Sequence, residues 1–503
     1  MVTGRAPWVR FAFLVLEGEN SPMADEPSVD RLFDAGAPGD PPKTKVPAGA
    51  SKRFRDYDPT QVFLLPPSLD DWLPEDHEAR FIAEVVDELL DLSPIYDRYV
   101  EAAGAPPYDP RMLLKLLLFG YSTGVTSSRE MERRCATDVA FRWLAANQAP
   151  DYRSISRFRR RHLGAIGDLF CQVLALCAQA GLVRLGRVAL DGTKLRASAS
   201  KHKAMSYDRL GPRIEQLQGE VDDLLAEAET TDRAEDETFG AAKRGDEVGA
   251  ELARRESRLA KLRAAKEALE TAARERAAAK TIEKAAKGGA DEEAAAAAGQ
   301  AAATEATPEG RAQRNFTDPE SRMMKTTDGF QYAYNAQAVV DEEAQVILAT
   351  NLTNQASDVD QFSEMIEATA TSLVDAGIED SPGVVLTDAG YCSEDNLKDA
   401  EESEVDVLIA TGRLRHGERV PAAPRGPAPK NATRREKMAR RLRTKKGRAD
   451  YARRKAIVEP VFGQMKVRQH AGFLRLRGIE GATGEWELHA LCHNLRKLAT
   501  AAG

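Results

Sequence analysis

At 503 residues the chain is too long for one ordinary core, domain-size priors give about two to four folding units, and an apolar fraction of 42 % is enough to fill them. A net charge of -8 and a pI near 5.7 argue against a uniformly basic nucleic-acid binder, yet the charge is segregated: from Gly412 to Lys455 stand 17 Lys or Arg against three acids, Glu418, Glu436 and Asp450. Five scattered cysteines without a C-x-x-C pair exclude a structural zinc site and point to a reducing compartment; no run approaches the roughly 20 apolar residues of a membrane span, and the absence of a G-x-x-x-x-G-K-[ST] phosphate loop argues against ATP use.

Residues 1–54 read as a disordered leader. "RFAFLVLEG" has a short apolar run and no small-residue cleavage site after it, residues 23 to 55 are rich in Pro, Gly, Asp and Lys, and Met23 is a candidate for the true start. From Tyr57 the pattern turns helical, and residues 55–183 are expected to form an all-α domain. Asp76 is placed to cap a helix carrying Phe81, Ile82, Val85, Val86, Leu89 and Leu90. Helices are predicted over 110–122 and 127–136, the second with Ser127 and Glu130 in capping-box spacing. From Ser154 one further helix puts Ile155, Phe158, His162, Ile166, Leu169 and Val173 on one face and Arg157, Arg160 and Arg161 on the other. With Arg153 in "DYRSISRFRRRH", these arginines are candidate DNA contacts. A merely solvated charged face is the plain alternative, and His162 is expected to pack rather than to ligate.

"RVALDGTKLRASASKHK" (187–203) opens the next unit, 184–200, as a short apolar strand closed by Asp191 and turned by Gly192. Lys194, Arg196, Lys201 and Lys203 follow, either as DNA contacts or as the solvated approach to what comes next. Residues 201–325 leave the strand pattern. Ile214, Leu217, Val221 and Leu224, then Leu252, Leu259, Leu262 and Leu269, recur at helical steps and predict an antiparallel helical hairpin. From 271 to 306, 17 of 36 residues are Ala, which predicts a partly helical tether without a core of its own.

Strands resume within 326–499. "FQYAYNAQAVV" (330–340) is expected to pair across an Asp-Glu-Glu turn with 344–352, before a helix near 358–376. Val384, Val385 and Leu386 form a short buried strand with Asp388 at its end; a helix capped near Ser393 and a strand over 405–411 follow. That order allows a mixed sheet in which the first and fourth strands are neighbours and Asp191 meets Asp388. In "YARRKAIVEPVFGQMK" a third acid is available: Tyr451, Lys455, Glu459 and Lys466 lie within roughly 80° of one another on a continuous helix, although Pro460 lets Glu459 cap a new helix or sit at a kink. Three close carboxylates repel unless cations relieve them. Oxygen ligands suit Mg²⁺ or Mn²⁺, and two ions about 4 Å apart suit in-line displacement at phosphorus, with the basic segment 412–455 holding DNA phosphates.

These blocks, "VALDGTKLRASAS", "DGFQYAYNAQAVVD", "VVLTDAGYCSEDN", "RRKAIVEPVFGQMKVRQHAGFLRLRG" and "EWELHALCHNLRKLA", together with "YDPRMLLKLLLFGYSTG", resemble in order those of bacterial insertion-sequence DDE transposases over roughly residues 55–499. The resemblance implies an α/β RNase H-like core, a mixed sheet flanked by helices, with an all-α N-terminal domain and a long helical insertion after the first core strand. It implies Asp191, Asp388 and Glu459 as catalytic and metal-binding triad, Asp191 bridging two ions. A related group carries a Tyr, Arg, Glu, Lys signature. Tyr451, Glu459 and Lys466 match it, but Arg454 lies five residues before Glu459 and Lys455 takes the expected four-before place, so both are candidate phosphate contacts.

The implied function is metal-dependent cleavage at the terminal inverted repeats of the protein's own element, freeing a 3′-hydroxyl, then transfer of that end into target DNA. Implied partners are double-stranded DNA of ends and target and, on DNA, further copies of the chain in a homo-oligomer; the expected location is cytoplasmic and nucleoid-associated, without membrane or ATP. Two other readings stand beside it: an RNase H-like nuclease that does not transfer strands, and a catalytically silent DNA-binding derivative.

Overall fold

The computed structural model describes residues 68–502 apart from 100–105, 240–246, 404, 413–421, 424, 427–428 and 430. The leader over 1–54, and with it Met23, lies outside the described residues.

The chain begins with helices α1 (Leu69–Trp72), α2 (Glu78–Glu84, continued by a π-helical turn Val85–Leu89), α3 (Ser93–Tyr96), α4 (Pro110–Ser122), α5 (Ser128–Thr137), α6 (Val139–Leu144), α7 (Tyr152–Arg161) and α8 (Leu163–Gln179). Helix α4 starts where Asp109 accepts from the Arg111 amide and Pro110 presets the first turn. All of its residues except Arg111 and Lys115 are buried, as a helix apolar on every side must be.

Three local expectations are corrected here. His77, not Asp76, caps α2, its Nδ1 accepting from the Ala79 amide at 3.1 Å. Ser127 precedes α5 but makes no side-chain cap, because Glu130 pairs forward with Arg133 and Arg134 instead of reaching back. The single helix expected from Ser154 is two, α7 and α8, meeting at 72°. The break falls at His162, whose ring turns inward against Tyr99 and Phe158, and the poor helix formers Gly164 and Gly167 follow it.

Next come β1 (Val188–Arg196), β2 (Ala204–Ser206), α9 (Tyr207–Phe239), α10 (Glu247–Lys287), α11 (Glu292–Glu305), β3 (Gln313–Asn315), β4 (Arg322–Thr326), β5 (Gly329–Asp341), β6 (Ile347–Thr353), α12 (Phe362–Asp375), β7 (Val385–Thr387), α13 (Glu394–Glu402) and β8 (Val407–Ile409). Helices α14 (Arg434–Leu442), α15 (Lys445–Ala452), α16 (Arg454–Arg468) and α17 (Ile479–Ala502) complete the chain. The main sheet has the order β4-β5-β1-β7-β8, with β6 also on β5. Strands β4, β5, β6 and β1 are antiparallel neighbours, whereas β1, β7 and β8 run parallel. This is the mixed sheet flanked by helices that the strand order allows, although after β1 it resumes at Arg322, four residues before the expected boundary. The first and fourth expected strands are indeed neighbours.

Helix α17 joins the two regions. It packs on α8, α4 and β6, and Asn494 takes both the amide and the carbonyl of Ile347, at 2.8 Å each, so that the outer edge of β6 is hydrogen-bonded. The N-terminal helices and the sheet therefore share one hydrophobic core rather than two.

Between β1 and β4 the chain leaves the sheet through the β2–β3 ribbon. Helices α9 and α10 pack together around Leu210, Leu217, Leu259, Leu262 and Ala265, a small core separate from the main one. The Ala-rich stretch is more helical than expected, since α10 runs on to Lys287 and α11 folds back against it, and none of its residues belongs to either hydrophobic core. Small residues permit that close approach. A Cβ built on Gly299 would lie 2.6 Å from Cγ1 of Ile282.

Candidate active site

Strand β1 is buried at Val188, Ala189 and Leu190 and then opens; Asp191 does not close it and Gly192 does not turn it, as the sequence led one to expect, because both stay paired with Ala338 and Gln337 of β5 and the strand runs on to Arg196. Its parallel partner β7 is in register with it, Leu190 opposite Thr387. Asp191 and Asp388 are the next residues on each, so they stand on neighbouring strands about 4.8 Å apart. The Asp388 carboxylate accepts from the Gly390 amide at 2.7 Å and caps the short 3-10 turn Ala389–Tyr391. Burial pushes the Asp191 carboxyl up; Arg454 pulls it down, and the charge of Asp388 adds to the rise.

The third element is α16, which packs on β1. Its first residue, Arg454, donates from Nη1 to Asp191 Oδ2 at 2.7 Å, with its side chain only 9 % exposed. Burial alone lowers its guanidinium pKa, but Asp191 and Asp388 more than offset this and raise it. Glu459 stands one turn on, 4.0 Å from the same guanidinium and 55 % exposed. Tyr451 lies on α15, on the far side of the Arg453 break, and burial raises its phenol. Pro460 sits inside α16 without ending it. Lys466 donates from Nζ to Thr193 Oγ1; burial lowers its pKa, opposed by the charge of Asp328.

Of the two candidates beside Glu459, Arg454 faces the acids and Lys455 is exposed. Counting one continuous helix from Tyr451 placed Lys455 inward. The break at Arg453 resets that count.

The sequence reading missed a second layer. Asp358, in the loop after β6, accepts at Oδ1 from Lys194 Nζ (3.1 Å), Asn335 Nδ2 (2.7 Å) and Gln337 Nε2 (3.0 Å). The Tyr391 hydroxyl donates to Gln337 Oε1, and burial lifts that phenol well above its ordinary value. The turn carrying Asp388 is thus tied through Tyr391 and Gln337 to β5, the other neighbour of β1. Gly192 makes room for this layer: a Cβ there would lie 2.5 Å from Gln337 Nε2 and 2.9 Å from Asp358 Oδ1. That glycine, and polar Asn335 and Gln337 within the buried stretch of β5, were the available signals.

Arg153, Arg157, Arg160 and Arg161 are all exposed on α7, away from the carboxylates in sequence and on another element. Arg153 donates to Tyr152, and Arg161 lies over the Tyr99 ring and donates to the Arg98 carbonyl. The unanticipated member is Arg159, buried and donating to the Tyr121 hydroxyl, which itself donates to buried Glu485 at 2.8 Å. In the basic segment, Arg434 pairs with Glu401, Arg441 with Asp406 and Arg453 with Glu342, so part of its charge is held by acids of the core. Lys437, Lys445 and Lys446 are exposed.

The donor set fits a hard divalent cation in kind, since Asp191, Asp388 and Glu459 offer carboxylate oxygens in a partly buried, negatively charged place. Among the described residues, however, no three His, Cys, Asp or Glu stand close enough to hold a metal ion as they are placed. The cation between Asp191 and Glu459 here is the guanidinium of Arg454.

A family model described as Transposase domain (DUF772) matches residues 67–161, and one described as Transposase DDE domain matches residues 306–495. Together they cover more than half of the chain. The first takes in α1 to α7, and the second contains Asp388 and Glu459 but begins after β1 and Asp191. No curated protein and no solved structure matches the chain. Two transposase matches in the order helical domain, then sheet with its acids, identify the chain: it belongs to the insertion-sequence DDE transposases.

Proposed function

We propose that Asp191, Asp388 and Glu459 form the catalytic centre for cleavage and strand transfer at the terminal inverted repeats of the protein's own element. The observation that carries this is the register Leu190 opposite Thr387, which puts Asp191 within β1 beside Asp388 at the end of β7. Asp191, Asp388 and Glu459 would hold one or two divalent ions, Mg²⁺ or Mn²⁺, once Arg454 gives way between Asp191 and Glu459, and such ions would supply charge stabilisation at the scissile phosphate and ease deprotonation of the attacking oxygen.

The chain's own cations do the rest. Arg454 offsets the charge of Asp191 and is placed to meet the phosphate from the α16 side. Lys466, oriented by Thr193, stands as a second phosphate contact. Tyr391, Gln337 and Asp358 fix the turn of Asp388 against β5 and hold Lys194 beside it. The exposed arginines of α7 and the lysines near Lys445 bind the duplex by its backbone. The working state is a homo-oligomer holding both ends on the nucleoid in the cytoplasm.

The test is joining of labelled oligonucleotides carrying the element's ends to a supercoiled plasmid in Mg²⁺. Joined product is expected. Hydrolysis of the ends without joining identifies a nuclease instead, and binding without either reaction identifies a silent derivative.

A further inference from the structure

Two adjoining cavities lie beyond the far end of β1 from Asp191. The first, about 380 Å³, is lined by Arg196, Lys203, Thr317, Gln331, Phe473 and Arg477 among others. The second, about 460 Å³, is lined by Ser156 and Arg160 of α7, by Arg475 and Arg477, and by Glu480. Arg477 belongs to both, so the two form one groove from the N-terminal helices to the catalytic strand.

The groove is built by backbone pairing. The loop between α16 and α17 is stitched to the end of β1, the Arg196 amide donating to the Gly472 carbonyl at 3.1 Å and the Leu474 amide to the Arg196 carbonyl at 2.8 Å. This sets the Arg196 guanidinium 4.7 Å from the Phe473 ring centre, with that of Arg475 at 5.8 Å from the same ring. Arg477 is fixed by its Nε, which donates to the Ser198 carbonyl at 3.2 Å.

Of the acids nearby, Glu320 accepts from the Ile479 amide, and Asp318 from the Gly478 amide and the Tyr334 hydroxyl. Glu480 is the one carboxylate among the lining residues, against Arg160, Arg196, Lys203, Arg475 and Arg477. Guanidinium forks held in fixed orientations along an open groove suit a row of phosphate oxygens.

We propose that this groove seats the sugar–phosphate backbone of one strand of the element-end duplex, with Arg477 between successive phosphates. The site rests on the transposase reading above and gives the DNA its direction. Asp191 and Arg196 are five residues apart on β1, about 17 Å along the strand, so the phosphates in the groove are distinct from the one at the carboxylates. The duplex then continues toward Arg160 and the N-terminal helices.

The test is the salt dependence of binding of a fluorescent duplex of about 30 base pairs, using the full chain and anisotropy, with log Kd plotted against log [KCl]. Arg196→Ala with Arg477→Ala is expected to reduce the slope by about 2 and to weaken binding at least about tenfold near physiological salt. Lys287→Ala with Lys398→Ala, a charge-matched pair of exposed lysines elsewhere, is expected to leave the slope where it is. A slope in the groove variant equal to that of the control overturns the proposal. Lys203→Gln with Arg477→Gln repeats the test should loss of the Arg196 contact to Phe473 unfold the loop.

Neutral methylphosphonate, placed in turn at each phosphate beyond the cleaved one, should at one or two positions weaken the wild type and not weaken the groove variant further. Equal weakening of both also overturns it, as does displacement of the duplex by single-stranded RNA at equal concentration. If the wild type binds no duplex in a salt-dependent way, the transposase reading itself fails, a result distinct from an unaltered slope in the variant.

Discussion

The two ends of the same strands differ in kind. At the start of β1 and β7, Val188 and Val385 join Val339, Ile366 and Leu373 around an apolar cavity of about 380 Å³. Three residues further along β1 and β7, the same strands present Asp191 and Asp388, with Asn335, Gln337, Asp358 and Arg454 packed about them. The apolar end can give way a little without altering any reaction. At the polar end each group is held by another, so small changes there alter chemistry before they alter stability. The difference teaches that the sheet serves as a ruler: parallel register at the apolar end decides where two carboxylates meet at the other.

The largest effect should separate the two ends outright. Asp388→Asn is expected to reduce end cleavage at least about a thousandfold, equivalent to about 4 kcal/mol of barrier, while Val188→Ala costs about 0.5–3 kcal/mol in urea denaturation and leaves the rate per folded molecule unchanged. Comparable rate losses in both variants would break the comparison.

Next comes the seam between helices and sheet, where Arg159, Tyr121 and Glu485 are buried together. The Glu485 carboxylate also accepts from the amides of Arg475 and Leu476 at 2.7 Å. Glu485→Ala strands a buried guanidinium and should destabilise by about 3–5 kcal/mol, measured as a shift of the urea midpoint.

A smaller effect is expected at Tyr391→Phe, which removes the tie to Gln337 yet keeps the ring. Cleavage should fall about tenfold with duplex affinity unchanged, about 1.4 kcal/mol of barrier; a change in affinity alone would show that Tyr391 positions DNA rather than Asp388.

The smallest is a pH effect away from the site. Burial, with Asp168 adding, lifts the Glu487 carboxyl to about 7 from 4.5. Because the folded pKa is the higher one, ionisation opposes folding: the cost is absent below 4.5, grows as pH rises to about 7 and is complete above. Glu487→Gln should therefore raise Tm near pH 8 and leave it unchanged near pH 4.5; an equal rise at both would contradict burial as the cause.

Much of this was legible in the chain. Asp191 and Asp388 stand out because each follows a short apolar run, although only Asp388 ends its strand while β1 continues through Asp191 to Arg196, and alternation in "FQYAYNAQAVV" marks β5 correctly. Other features were hidden for physical reasons. Asp358 lies in a loop whose partners, Lys194, Asn335 and Gln337, come from two strands, so only the fold makes it a centre. Arg454 rather than Lys455 faces the acids because the chain breaks at Arg453, and helical counting does not survive a break. The Ala-rich stretch, whose low complexity suggests a partly helical tether, adds no residue to either core but is helical throughout most of its length. Small side chains let α10 and α11 approach closely, as Gly299 does against Ile282.

The most direct measurement is single-turnover nicking of an end duplex in Mg²⁺ by wild type and by Asp191→Asn, with binding of the same duplex followed in parallel. Loss of nicking by at least about a thousandfold with affinity retained is the expected result. Nicking by Asp191→Asn at close to the wild-type rate would contradict the placement of the reaction where Asp191 of β1 stands beside Asp388.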